Sequence, residues 1–365
     1  MAVEVTGTAQ REAWLAKAFP PVERLDDGLW SVPIPFPGNP MRYTLSYVLV
    51  EGDECLVVDP GFDSDEGWGH LTAGLGAAGI GAGEVTCIIA THFHTDHLGM
   101  ACRLSRVSGA PIGLGEAERR YLSVYEDARE EVELDRERMR RWGVPESRVA
   151  EGAMTVKGLE HLRGLADADF RLASGDAVPF GAALSGHDPI RVIETPGHTP
   201  GHLCLELANR AVFLSGDHLL PRITPNVSLE IRGDPDPVGS YVRSLQRVEL
   251  ADHYEVLPAH EYRFRGPGLR ARQLRVATEE RSRQVREAAS VQRDPTVYSV
   301  ARDISWSRGF DSLHRLQFRL ALSETAAHLQ HLALLGLVTG IDTVVQQPTG
   351  VEHSRNGPAV LVECT

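Results

Sequence analysis

Thr91-His-Phe-His-Thr-Asp-His-Leu-Gly99 is the stretch on which the fold of this 365-residue chain turns. His92, His94, Asp96 and His97 are four metal-binding side chains within six positions. The apolar run Val85-Thr-Cys-Ile-Ile-Ala90 leads into them and reads as a short buried strand. If the chain stays extended past Ala90, His92, His94 and Asp96 point to one side, because side chains alternate along a strand. His97 breaks that alternation and needs a turn, which Gly99 permits. Three groups on one side and a fourth swung round can serve two neighbouring metal ions. Imidazole nitrogen with carboxylate oxygen suits zinc first, then iron or manganese. The alternative, four polar residues in a surface loop, leaves so dense a cluster without a cause.

Composition narrows the class. A hydrophobic content of 42% and a charged content of 24% are those of a globular protein. The length suits one large domain and a small one. No apolar run is long enough to cross a bilayer, which predicts no membrane partner. The N-terminal residues lack a basic start followed by an apolar core, so no secretion signal is expected. Five scattered cysteines without a CxxC pair point to reduced thiols and a cytoplasmic location. A net charge of −13 disfavours non-specific nucleic-acid binding.

His-x-His-x-Asp-His after an apolar strand resembles the signature of the metallo-β-lactamase fold superfamily. The resemblance implies an α/β chain, a four-layer αββα sandwich over residues 1–265, and further ligands downstream. Before the cluster, residues 1–40 hold a short polar helix. The proline-rich Leu29-Trp-Ser-Val-Pro-Ile-Pro-Phe-Pro-Gly-Asn-Pro40 favours an extended arm over a central strand. Tyr43–Val50 and Cys55–Asp59, separated by Gly52-Asp53, read as a hairpin. Asp59-Pro-Gly61 closes it. By resemblance Asp59 supports a ligand from behind, and otherwise it is a turn aspartate. Residues 66–82 read as a glycine-rich crossover helix. Residues 98–107 read as a helix and 110–114 as a strand. Residues 116–148, dense in Glu and Arg, carry Leu122, Tyr125, Val132, Met139 and Trp142 at helical intervals. This insertion is expected to cover the metal site.

The remaining ligands are expected after further strands. Glu194-Thr-Pro-Gly-His-Thr-Pro-Gly-His202 follows Pro189–Glu194, and the resemblance makes His198 a ligand and His202 a supporting residue. Gly197 and Gly201 are expected to allow tight turns there. Ser215-Gly-Asp-His218 supplies Asp217, which matches a bridging carboxylate. Tyr254-Glu-Val-Leu-Pro-Ala-His260 supplies the last ligand, His260, although Ala259 and Glu261 depart from the usual Pro-Gly-His-Gly. The resemblance thus implies one metal on His92, His94 and His198, a second on Asp96, His97 and His260, and Asp217 between them.

From about Gly266 the character changes. Residues 270–293 and 318–336 read as helices, with Gly336 as a stop. Leu337-Val338 and the turn-rich residues after them read as a small β-wing. Residues 266–345 resemble the winged-helix-like C-terminal domain of the branch that contains glyoxalase II-like proteins and the mitochondrial β-lactamase-like ribonuclease, with 346–365 as a tail. Glu279, Glu280 and Glu287 interrupt its arginines, which favours a structural or homodimer-forming role over a nucleic-acid partner.

The implied chemistry is metal-assisted hydrolysis by a hydroxide shared between two zinc ions, with iron or manganese as alternatives. Asp96 would bind metal and orient that nucleophile. An acyl ester or thioester is the expected substrate. Single-stranded RNA cleavage and a mononuclear-iron persulfide dioxygenase are the alternatives, and the complete second ligand set argues against the latter.

Overall fold

Tyr43–Glu51 and Glu54–Val58 form the hairpin that Gly52-Asp53 predicts, with Glu51 opposite Glu54. The computed structural model describes residues 2–123, 127–163, 168–181, 189–248 and 250–343. Tyr125, Cys364 and the tail after residue 343 lie outside the described residues. The hairpin sits inside a seven-stranded sheet ordered Glu23–Asp26, Leu29–Pro35, Tyr43–Glu51, Glu54–Val58, Cys87–Ile89, Ile112–Gly115, Phe170–Leu172. The pairings from Glu54–Val58 onward are parallel, each reached by a crossover. A second, six-stranded sheet is ordered Glu4–Val5, Phe264–Arg265, Glu255–Pro258, Val212–Gly216, Leu203–Leu207, Ile190–Glu194.

Period-two alternation decides the layers. Leu56 and Val58 enter a core shared with Leu203, Leu205 and Leu214 of the facing sheet. Their neighbours Cys55 and Val57 point the other way, against Leu71 and Leu75 of the helix Asp65–Ala77. On the second sheet Cys204 and Phe213 face outward, against Tyr241 and Leu245 of the helix Pro237–Arg247. The result is helix, sheet, sheet, helix. Each leucine fully buried in this way contributes about 1.5–3 kcal/mol.

Leu29–Pro35 corrects one expectation. It is not an arm but an interior strand, paired on one side with Glu23–Asp26 and on the other with Tyr43–Glu51. Its prolines are tolerated because the Glu23–Asp26 strand ends opposite Ser31. Pro33 and Pro35 lie beyond that end, where no ladder bond is needed on that side.

The insertion contains the helices Glu116–Ser123 and Ala128–Arg141. The second carries surface Glu–Arg pairs such as Glu133 with Arg136, but it also buries Asp135 and Arg138. Asp135 accepts from Arg138, from Arg319 at 2.6 Å and from the Met154 N–H at 2.7 Å. Burying such charges is tolerable only when they are paired, as these are. Arg319 lies on the helix Arg315–Leu334, so the insertion is docked on the C-terminal region.

That region comprises the helices Pro267–Ser290, Val297–Asp303 and Arg315–Leu334. Its Leu274, Val285 and Phe318 share one core with Met139 and Trp142 of the insertion and Phe213 of the sheet. The described part of the expected wing, residues 337–343, contains no strand. The Leu337 N–H instead bonds Leu332 O and the Gly336 N–H bonds Ala333 O, with Gly336 at φ +70°. That pair of bonds caps the helix and uses the backbone a strand would need. Among the described residues no helix is long and apolar enough to cross a membrane.

Candidate metal centre

The cluster begins where the strand Cys87–Ile89 ends, and here the chain does not stay extended. The N–H groups of His97 and Leu98 both bond His94 O, and the Gly99 N–H bonds Thr95 O, so residues 94–99 wind into a helical turn. Winding, not strand alternation, brings the side chains together. The role of Gly99 also differs from a free turn. A Cβ there would lie 2.1 Å from Thr95 O, so glycine is required by close approach. Gly201 is similar: a Cβ would meet the Glu118 N at 2.5 Å.

Seven side chains from four loops converge. His92 Nε2 and His198 Nε2 lie 2.9 and 3.2 Å from His94 Nδ1. Beside them, His260 Nε2 lies 3.4 Å from Asp96 Oδ2, and His97 Nε2 lies 3.6 Å from the same oxygen. Asp217 stands between the two groups. Its Oδ2 is 3.6 Å from His198 Nε2, while its Oδ1 is 3.2 Å from His260 Nε2 and 3.7 Å from His97 Nε2. Three sets could each hold an ion: His92, His94 and His198; His92, His97 and Asp217; Asp96, His97 and His260.

Four of the five imidazoles are aimed from behind. His97 Nδ1 donates to Asp59 Oδ2 at 3.0 Å, and His198 Nδ1 to Asn226 O at 2.7 Å. His260 Nδ1 donates to Tyr43 O at 3.1 Å. His92 Nδ1 meets Thr91 Oγ1 at 3.1 Å. Asp59 also accepts from the Thr91 N–H and hydroxyl at 2.7 and 2.9 Å. His202 stays outside the convergent set. Its Nδ1 meets Thr195 Oγ1 at 2.8 Å and its Nε2 accepts the Asp217 N–H at 3.2 Å, which holds the Asp217 backbone.

Electrostatics and orphaned atoms together favour a cation. Burial and neighbouring imidazoles hold His92 and His94 well below the usual histidine range, His94 at about 3. Their lone pairs are therefore free at neutral pH. Burial alone would raise the Asp96 carboxyl, but His97 and His260 outweigh it and hold Asp96 at about 2. His97 Nε2 and Asp217 Oδ1 are buried with no hydrogen-bond partner. Leaving such atoms unpaired costs about 1–3 kcal/mol each. The donor set, imidazole nitrogen and carboxylate oxygen on closed loops, fits a divalent metal.

Sequence alone missed Glu118, on the insertion helix Glu116–Ser123. Wholly buried, it accepts the N–H of Phe93 at 2.9 Å with one oxygen and the N–H of Gly201 with the other. It thus ties the His92–His94 loop to the His198 loop. Nothing in an acidic helix marks one glutamate out. Burial pushes its carboxyl up to about 7. A raised folded-state pKa means stability that is present at low pH and lost as pH rises through the folded value. Glu118→Gln removes that dependence and turns an amide N–H toward one of the two donors. In urea unfolding of metal-stripped protein at pH 5, the variant should be less stable by about 2–3 kcal/mol. The deficit should narrow toward pH 8, and a constant deficit would contradict the assignment.

Residues 40–260 match the metallo-beta-lactamase superfamily, and the chain belongs to that family. It is 24% identical over 308 residues to the probable metallo-hydrolase YqjP of Bacillus subtilis, covering 82% of this chain and 90% of that one. A shorter match, 37% over 78 residues, joins it to a hydroxyacylglutathione hydrolase of Cereibacter sphaeroides, covering 21% of this chain and 29% of that protein. Among solved structures, a metallo-beta-lactamase family protein from Thermus thermophilus superposes with a TM-score of 0.70 at 26% identity, over 86% of this chain and 95% of the other.

Proposed function

We propose that this chain is a binuclear metallo-hydrolase acting on an acyl ester or thioester of a small molecule, with zinc as its metal. The carrying observation is Asp217, whose two oxygens face two different groups of imidazoles. His92, His94 and His198 would hold one ion, and Asp96, His97 and His260 the other. Ions held there supply Lewis acidity toward a carbonyl oxygen and a water acidic enough to attack at neutral pH. The rest falls to the protein. Asp59, Thr91, Asn226 O and Tyr43 O keep the metal-facing nitrogens of His97, His92, His198 and His260 aimed inward. Asp96, ionised as a ligand of the second ion, would accept a hydrogen bond from the attacking water and orient it. The acyl carbon then gains the water oxygen, and the leaving alcohol or thiol departs with a proton.

The thioester reading draws support from the hydroxyacylglutathione hydrolase match, although that match is short. The complete second set, Asp96, His97 and His260, favours two ions over a single iron. A cytoplasmic location fits the free Cys55, Cys87 and Cys204.

The test is metal content beside turnover of a thioester panel and a single-stranded RNA. About two zinc ions per chain with thioester turnover is the expected result. RNA cleavage with inert thioesters would move the substrate to nucleic acid. One iron per chain without hydrolysis would overturn the binuclear reading.

A further inference from the structure

His198 takes its orientation from a carbonyl in a segment that has no regular structure of its own. Residues 221–233 contain neither helix nor strand, yet Asn226 O must sit 2.7 Å from His198 Nδ1. The path of that segment is fixed from outside, mostly by the C-terminal helices. The Leu229 N–H donates to Ser323 O at 3.2 Å, and Ser323 Oγ donates to Leu229 O at 2.9 Å. Arg319 Nη2 reaches Glu230 Oε2 at 3.3 Å. Arg270, on the helix Pro267–Ser290, donates to Leu220 O and Ile223 O at 2.6 and 2.8 Å. One tie falls on Asn226 itself: its Nδ2 donates to Glu324 Oε2 at 3.1 Å. Glu324 is in turn held by Arg281 Nε at 3.0 Å on its other oxygen, and Arg281 is anchored to Ser305 O at 2.8 Å.

We propose that Glu324 is a positioning residue for the metal centre, acting through Asn226 on His198, and that the C-terminal helices thereby set the affinity of one of the two metal positions. The series Arg281, Glu324, Asn226, His198 crosses from the C-terminal helices to the ligand loop in three contacts. None of the other imidazoles is supported this way. His97 rests on Asp59, His260 on Tyr43 and His92 on Thr91, all belonging to the first sheet or its adjoining loop. A partner that fixes a ligand's second nitrogen typically changes metal affinity by about 10–100-fold. Acting one contact further out, Glu324 falls at the lower end of that range. The inference rests on the assignment of His198 as a ligand.

The experiment measures zinc affinity by chelator competition, and the visible spectrum of the cobalt-substituted full chain, for wild type, Glu324→Ala, Glu324→Gln and Asn226→Ala. Arg283→Ala, whose partners Glu280 and Glu287 lie on an exposed helix face, is the control. Glu324→Ala and Asn226→Ala should each weaken one of the two zinc ions about tenfold and shift the cobalt bands of that site. Glu324→Gln, which keeps an acceptor for Asn226, should recover most of the affinity. Arg283→Ala should bind as wild type. Asn226→Ala keeps the carbonyl and changes a partly buried side chain, so it carries the test if Glu324→Ala does not fold. Wild-type affinity and spectrum in both alanine variants would overturn the proposal, as would equal weakening of both ions. A wild-type chain that binds no metal would instead overturn the metal-centre assignment itself.

Discussion

Asp217→Ala is expected to lose one metal ion and about 10³-fold in turnover, the equivalent of about 4 kcal/mol of transition-state stabilisation. The reason lies in what its carboxylate faces. It is buried, with His198 on one oxygen and His97 with His260 on the other. Burial alone would raise its pKa, yet His260 and His97 hold it well below the ordinary range, so it stays ionised. Removing it takes one negative charge from between the two proposed ion positions, where it would hold like-charged ions close together. Of the groups around it, the Asp217 N–H on His202 Nε2 is main chain and survives substitution, so the loop keeps its path. The loss should therefore appear in metal content by elemental analysis and in kcat, with an unchanged far-ultraviolet circular dichroism spectrum. A variant that retained both ions and turned over within tenfold of wild type would sink the bridging assignment.

Asp59→Ala is expected to cost about 3–5 kcal/mol of stability and at least tenfold in metal affinity. Three donors end on this one carboxylate: the Thr91 N–H, the Thr91 hydroxyl and His97 Nδ1. All are buried, and alanine leaves the Thr91 N–H and His97 Nδ1 without a partner and the Thr91 hydroxyl with His92 alone. Each orphaned group costs about 1–3 kcal/mol. Asp59 also has φ +53°, a conformation that aspartate tolerates better than alanine. Asp59→Asn should fall between, because an amide keeps one acceptor for Thr91 and turns a donor toward His97. Urea unfolding and chelator competition together separate the two effects. A stability loss under about 1 kcal/mol for the alanine variant would mean that water replaces the carboxylate and that the site is open from beneath.

The sandwich is expected from the resemblance that the His-x-His-x-Asp-His motif carries, and single strands from apolar runs, which are a local signal. The hairpin across Gly52-Asp53 reads in that way. All seven residues read as ligands from their motifs lie in one cluster, because imidazoles and carboxylates at loop ends after apolar strands have few other reasons to recur. What stays hidden depends on distance along the chain or on the backbone. An extended chain past Ala90 leaves out the bonds from His97, Leu98 and Gly99 back to residues 94 and 95. Leu29–Pro35 reads as an arm when its prolines are weighed without knowing where the neighbouring strand ends. Glu118 and Glu324 look like any other acids on charged helices. The described part of the wing expected after Gly336, residues 337–343, has no strand, and the helix cap that precedes it shows only in the bonds of Gly336 and Leu337.

Two of the imidazoles are steadied by carbonyl oxygens, those of Tyr43 and Asn226. A carbonyl is the same in every amino acid, so these bonds place no demand on which residue stands there. What they demand instead is the route of the main chain, and that is set by residues elsewhere that bend or brace it. Part of what specifies the centre therefore lies in residues that touch no ligand at all.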